Sequence, residues 1–207
     1  DFAQRYRELV LYRNWEMGSE EIAAGSTDSW TVWPKRLEAV KKAVADATPA
    51  RPAGEAGGGR FGGFQGAGGA DPKFAQNLRT PELRDPRGYI IAANQSDFPT
   101  ALKFVAKLQR NAIVVHRATA AFTVAGKSYP AGSIVVKSAQ AYRPFVLDMF
   151  EPQDHPDDFR YPGAAPTPPY DNAGYTLALQ MGVQFDRVLD GFDCPCDSGY
   201  DGDGRTG

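Results

Sequence analysis

Residues 150–159 read FEPQDHPDDF and place Glu151, Asp154, His155, Asp157 and Asp158 within one short run. His155-Pro-Asp-Asp158 has a spacing with which an imidazole and a carboxylate can reach one zinc ion from a rigid scaffold. A catalytic zinc usually needs three protein ligands and a base. The chain has only 2 histidines, His116 and His155, so none follows His155 to complete a set. Pro152 and Pro156 extend the backbone and splay the side chains. Calcium accepts oxygen ligands alone, but the run lacks a central glycine and a closing bidentate glutamate. The expectation is a solvated acidic loop, ahead of a charged contact to a partner surface, with a metal site last.

A second constellation is Asn94, Gln95 and His116. Asn94 and Gln95 close one predicted strand, and His116 lies near the C-terminal end of the next. Ligand crevices of open α/β sheets form at such ends. These three are the candidate ligand-binding residues, for a small polar ligand. The plainer alternative is a strand-end histidine bonded to backbone. No catalytic or metal-binding residue is assigned. G-x-S-x-G is absent, and Ser96, Ser128, Ser133 and Ser138 have no arranged histidine and acid. Cys194-Pro-Cys196 would make a strained disulfide and lacks further ligands for zinc. The pair reads as two thiols in a mobile tail. Asp197, Asp201 and Asp203 follow among glycines without the twelfth-position glutamate of a calcium loop.

These residues need elements to position them. Residues 2–24 have a helical pattern, with Phe2, Tyr6, Leu9, Val10 and Met17 on one face and Gly25 able to stop the helix. Pro34 starts a second helix. Trp15, Trp30 and Trp33 read as anchors of two helices to a body that is missing here rather than as a sugar or peptide platform. Glycine dominates from Thr48 to about Asp71, without the strand, helix and lysine of a phosphate-binding loop. That stretch reads as a flexible, protease-sensitive linker.

Residues 88–94 then predict a buried strand. Ser96 or Asp97 caps a helix whose inner face is Phe98, Ala101, Leu102, Val105 and Leu108, and Asn111 ends it. Residues 112–117 give the next strand, completing a strand–helix–strand unit with a right-handed crossover. Residues 120–137 read as a hairpin with Gly126 in its turn and a strand at 133–137. A helix from Ser138 to Met149, a helical segment within 172–183 and a strand at 185–191 complete the pattern. The expected fold is α/β: a small, largely parallel sheet with flanking helices, amidotransferase-like or flavodoxin-like by analogy only. The expected domains are a helical remnant (1–47), a linker (48–86), an α/β domain (87–192) and a disordered tail (193–207).

Composition permits a core: 42% of the 207 residues are hydrophobic and 23% charged. The net charge of -2, with signs mixed, predicts neither nucleic acid nor an anionic membrane surface as partner. No apolar run is long enough to span a bilayer. The chain opens at Asp1 without a signal-peptide pattern, as expected of a processed product or a partial sequence.

Two stretches carry a resemblance. RNWEMGSEEIAAGSTDSWTVWPKRLEAV (13–40) and residues 89–183, with HRATAAF, YPAGSIVVK and EPQDHPDD as the distinctive parts, resemble the accessory region behind the catalytic domain of large bacterial zinc carboxypeptidases. These belong to the carboxypeptidase A-like metallopeptidase superfamily. The resemblance implies a non-catalytic C-terminal part that braces the catalytic domain or positions peptide substrate, in a secreted or periplasmic protein. Its partners would be that catalytic domain, preceding Asp1, and the peptide. In the family, zinc is held by His-x-x-Glu and a distant histidine, and a later glutamate acts as base. His116-Arg-Ala-Thr119 lacks the acid, and His155-Pro-Asp-Asp158 has aspartate and no later histidine. No cofactor is therefore expected in this chain, zinc belonging to the absent domain, and no peptidase activity is expected of it alone. The alternative is an independent α/β module binding a small ligand.

Overall fold

The computed structural model describes residues 2–47, 79–152, 158–168 and 175–197. They form two compact units, one of Asp1–Ser29, Asp85–Gln153 and Tyr170–Gly207, the other of Trp30–Arg84 and Asp154–Pro169. The helical stretch 1–47 is thus shared between them. The linker expected at about 48–71 lies outside the described residues.

The first unit is built on a four-stranded sheet: β1 (Gly88–Ile91), β2 (His116–Arg117), β5 (Ile134–Lys137) and β6 (Asp186–Val188), in the order β2-β5-β1-β6. Every neighbouring pair is antiparallel, which corrects the expectation of a largely parallel sheet. β1 and β2 do run in the same direction, since both are antiparallel to β5, and the helix α4 (Phe98–Arg110) lies between them in sequence. They are not neighbours because β5 sits between them. Tyr89-Ile90-Ile91 and Ile134-Val135-Val136 are apolar at every position and fully buried. Strands apolar on both faces belong in the middle of a sheet. The shorter β2 and β6 carry His116, Arg117, Asp186 and Arg187, and charge suits an edge strand.

One face of the sheet is covered by helices. Tyr89, Ile91, Ile134 and Val136 pack against Ala101, Phe104, Val105 and Leu108 of α4, against Val146, Leu147 and Phe150 of α5 (Arg143–Phe150), and against Ala178 of the short α6 (Leu177–Gln180). Tyr89 stacks on Phe150 with ring centroids 4.1 Å apart, and the edges of Phe104 and Phe185 meet Phe150 at 5.1 and 5.0 Å. The helix cap is Asp97, whose carboxylate accepts the Thr100 backbone N–H at 3.1 Å. Phe104 takes the buried place expected for Leu102. α5 starts at Arg143 rather than after Ser138.

The other face carries Ile90, Val135 and Val188. It is covered by Val124 and Tyr129 of a separate hairpin, β3 (Phe122–Val124) and β4 (Lys127–Tyr129), and by Phe192, Cys194 and Cys196. Ala125 and Gly126 both have positive φ, 50° and 78°. That pair makes the tight turn whose twist suits a two-residue hairpin, with Gly126 where the sequence places it. Cys194 and Cys196 are joined in a disulfide and neither is a free thiol, which corrects the reading as two thiols. Residues 193–197, assigned from sequence to the tail, lie along the edge of β2. Ala118 bridges to Cys196, and the Asp197 N–H donates to Arg117 O at 3.0 Å.

Two helices precede the sheet in this unit: α1 (Phe2–Arg5) and α2 (Arg7–Ser26). Gly18 and Gly25, seven residues apart, share one face of α2. A Cβ on Gly25 would lie 2.3 Å from the Ser138 carbonyl oxygen, and one on Gly18 would lie 3.2 Å from Ala141 Cβ. The C-terminal end of α2 is therefore seated directly on the 138–141 backbone. Buried Arg143 fastens it: the guanidinium donates to Asp85 Oδ2 at 2.7 Å, Ser29 Oγ at 2.9 Å and Glu21 Oε2 at 3.2 Å. Further towards the N-terminus of the helix, Trp15 is 66% exposed and Tyr12 54%.

The second unit contains α3 (Pro34–Ala47) and a 3-10 turn at Pro81–Leu83. Trp30 Nε1 donates to Thr80 O at 2.8 Å, and Arg36 donates to the carbonyls of Thr31 and Leu83. Trp30 thus anchors two segments of this chain that are far apart in sequence, and not a helix to an absent body. Phe159 bridges to Pro166 in the same unit.

Gly25→Ala should unseat the C-terminal end of α2 and cost roughly 1–3 kcal/mol, because the new methyl group meets main chain and not a side chain that can turn away. Urea unfolding followed by circular dichroism measures this, and an unchanged midpoint would show that α2 is not held there.

Candidate functional site

Asn94, Gln95 and His116 hold different parts of the first unit. The chain turns after β1, and Asn94 is exposed there. Gln95 acts as a clasp: its Nε2 donates to Ala92 O at 3.0 Å and Gln184 O at 3.3 Å, and its Oε1 accepts the Gln184 N–H at 3.1 Å. It ties the β1–α4 turn to the residue two before β6. His116 is half-buried on β2, with Nδ1 3.0 Å from Asp197 O. β2 and β6 are opposite edges of the sheet. The histidine and the glutamine clasp are thus on separate borders, and each is engaged with backbone.

The acidic run divides in a similar way. Glu151 accepts from the Tyr89 hydroxyl at 2.8 Å and from Arg187 Nε at 2.7 Å, both on Oε1. Its side chain is only 14% exposed. It joins the end of α5 to β1 and β6. Burial, then the neighbouring Glu151 charge, raises the Tyr89 phenol well above its ordinary value. Asp158 is exposed, and its carbonyl accepts the Thr167 N–H at 2.7 Å. Asp154, His155 and Asp157 lie outside the described residues. Among the described residues, no three His, Cys, Asp or Glu side chains gather as metal ligands.

A third cluster was not anticipated. On the hairpin side of the sheet, Lys127 Nζ donates to both oxygens of Asp186, at 2.8 and 2.7 Å, and the Tyr129 hydroxyl donates to Asp186 Oδ2 at 3.1 Å. Asp186 faces this side because it pairs with Ile90 across β6 and β1. An open groove of about 500 Å³ runs nearby, between Thr123–Ala125 and Arg187–Asp193. Burial, reinforced by Asp186, pushes the Tyr129 phenol up to about 12. At neutral pH it is a fixed hydrogen-bond donor, not a base. The cluster can hold β4 against β6 and can present a proton. Sequence alone offers little signal for it, because 57 positions separate Tyr129 from Asp186.

This phenol makes stability depend on alkaline pH. Its folded pKa lies above the unfolded one, so the stabilisation is complete below about pH 10 and is lost as pH rises towards about 12. Tyr129→Phe should remove the part of this loss due to Tyr129, on the order of 2 kcal/mol for a shift of this size. At neutral pH it should cost about 1 kcal/mol for the hydrogen bond. Urea midpoints of both proteins across that pH range test the expectation, and parallel pH curves would refute it.

No protein-family model, curated protein or solved structure matches this chain.

Proposed function

We propose that this chain is a non-catalytic accessory part of a zinc carboxypeptidase-like protein, and that α2 is the element that packs against the catalytic domain. The observation that carries the reading is that α2 is apolar on two faces. Leu11, Gly18 and Gly25 recur at seven-residue spacing on the face seated at residues 138–141, with Trp15 and Ile22 beside them. Tyr6, Val10 and Met17 line a different face with Leu9 at its border, and Tyr12 lies beside Trp15, with ring centroids 5.8 Å apart. An apolar face of a helix is ordinarily buried against a neighbour. Yet Leu9, Leu11, Tyr12, Trp15 and Met17 are each more than half exposed, Met17 at 62%. Burying one such side chain contributes about 1.5–3 kcal/mol. Contiguous exposure of this kind marks an interaction surface.

The likeness of residues 13–40 and 89–183 to the accessory region of those carboxypeptidases supplies the identity of the partner. The alternative of a small-ligand module has less support, since Gln95 and His116 are taken up by backbone.

Isothermal titration of the chain into a zinc carboxypeptidase domain of the resembled family tests the reading. We expect binding that is lost in Val10→Glu/Met17→Glu, on the face turned away from residues 138–141, while circular dichroism stays unchanged. An absence of binding by the unaltered chain, or binding indifferent to the double substitution, would overturn it.

A further inference from the structure

The Cys194–Cys196 pair is not used by the reading above. The disulfide joins residues two positions apart, with Cα atoms 5.2 Å apart. Both cysteines are half-buried and pack by one side on the cluster of Ile90, Val135 and Val188. The residues around them, Asp193, Pro195 and Asp197, are exposed. An incoming thiol therefore has a path to the sulfurs, and access is one of the conditions for exchange.

The small ring also does specific work. It turns the Pro195 carbonyl towards β2, where it accepts both the Thr119 N–H and the Thr119 hydroxyl at 2.7 Å. Within the ring, the Cys196 N–H donates to Cys194 O at 2.8 Å. Just beyond it, Asp197 pairs with Arg117 and His116. The ring thus lays 195–197 along the edge of β2, covering backbone groups that an outer strand otherwise presents to other chains. So short a loop removes little freedom from the unfolded chain, unlike a bond that closes a long loop. The fold therefore does not depend on it.

From this arrangement we infer that Cys194–Cys196 is a thiol–disulfide exchange site for small monothiols of the glutathione class, and that its closed form latches residues 195–197 onto β2. In the exchange, a glutathione thiolate attacks one sulfur. The Cys194–Cys196 bond breaks, a mixed disulfide forms, and the other cysteine leaves as a thiolate and takes up a proton. A second glutathione thiolate attacks the mixed disulfide and releases oxidised glutathione. The protein gains two electrons and two protons, and two glutathione molecules are oxidised.

The test is equilibration of the full chain in glutathione buffers of rising reduced-to-oxidised ratio, followed by acid quenching, alkylation and mass measurement. The expected result is two alkylated thiols per chain, the full cysteine complement, while circular dichroism is still that of the oxidised protein. In the reduced protein, amide exchange at Thr119 and Asp197 should speed up roughly tenfold or more, with Ile90 and Val135 unchanged. Cys196→Ser should gain the mass of one glutathione at Cys194. The double variant Cys194→Ser/Cys196→Ser should stay folded and show the fast Thr119 exchange without any thiol present. Thiols that appear only as the protein unfolds would overturn the exchange site. Opening that leaves Thr119 and Asp197 exchange unchanged would overturn the latch.

Discussion

Two central strands apolar on both faces set the terms for the rest of the first unit. β1 and β5 present buried side chains above and below the sheet, paired Tyr89 with Val136, Ile90 with Val135 and Ile91 with Ile134. Neither face can be left to water, because each buried side chain is worth about 1.5–3 kcal/mol. α4, α5 and α6 cover one face. The β3–β4 hairpin and the 192–196 segment cover the other, which explains why a short hairpin leaves the main sheet and why the chain returns past β6. The hairpin and the disulfide loop are thus the second layer that the pattern of β1 and β5 demands.

The polar groups follow from the same constraint. Where a charged side chain borders the two layers, it is paired: Glu151 with Tyr89 and Arg187 on the helix side, Asp186 with Lys127 and Tyr129 on the hairpin side. Asp186 and Arg187 are adjacent on β6 and point to opposite faces, as strand alternation requires. One edge strand therefore carries an acid to one layer and a base to the other. Buried Arg143 is the counterpart beneath α2, with Asp85 at 2.7 Å. Removing one member of such a buried pair leaves an uncompensated charge, which is far costlier than losing a surface ion pair.

α2 stands apart from this economy. Its C-terminal end is seated by Gly18, Gly25 and Arg143, while its N-terminal two-thirds keeps large apolar side chains in water. Nothing in the demands of β1 and β5 calls for those side chains. Their exposure is what directs the functional reading towards a partner surface and away from a pocket.

Much was legible in the sequence because it is local. The span of α4 follows from its apolar spacing and the Asp97 cap, the hairpin from Gly126, and the burial of β1 and β5 from unbroken apolar runs. The sequence also determines the lack of a complete histidine ligand set, since it holds only His116 and His155. The strand order was not legible. A strand–helix–strand pattern establishes that β1 and β2 run the same way, but not whether a later strand inserts between them. That depends on which strands most need cover on both faces, a comparison across the whole sheet. The same holds for the candidate site residues. β1 ends at Ile91, so Gln95 lies in the turn beyond it, and His116 opens β2 and does not close a longer strand; their partners, Gln184 and the Asp197 carbonyl, are 89 and 81 positions away. Only the folded chain decides that such groups hold backbone together, because a hydrogen bond depends on distance in space and not on separation along the chain.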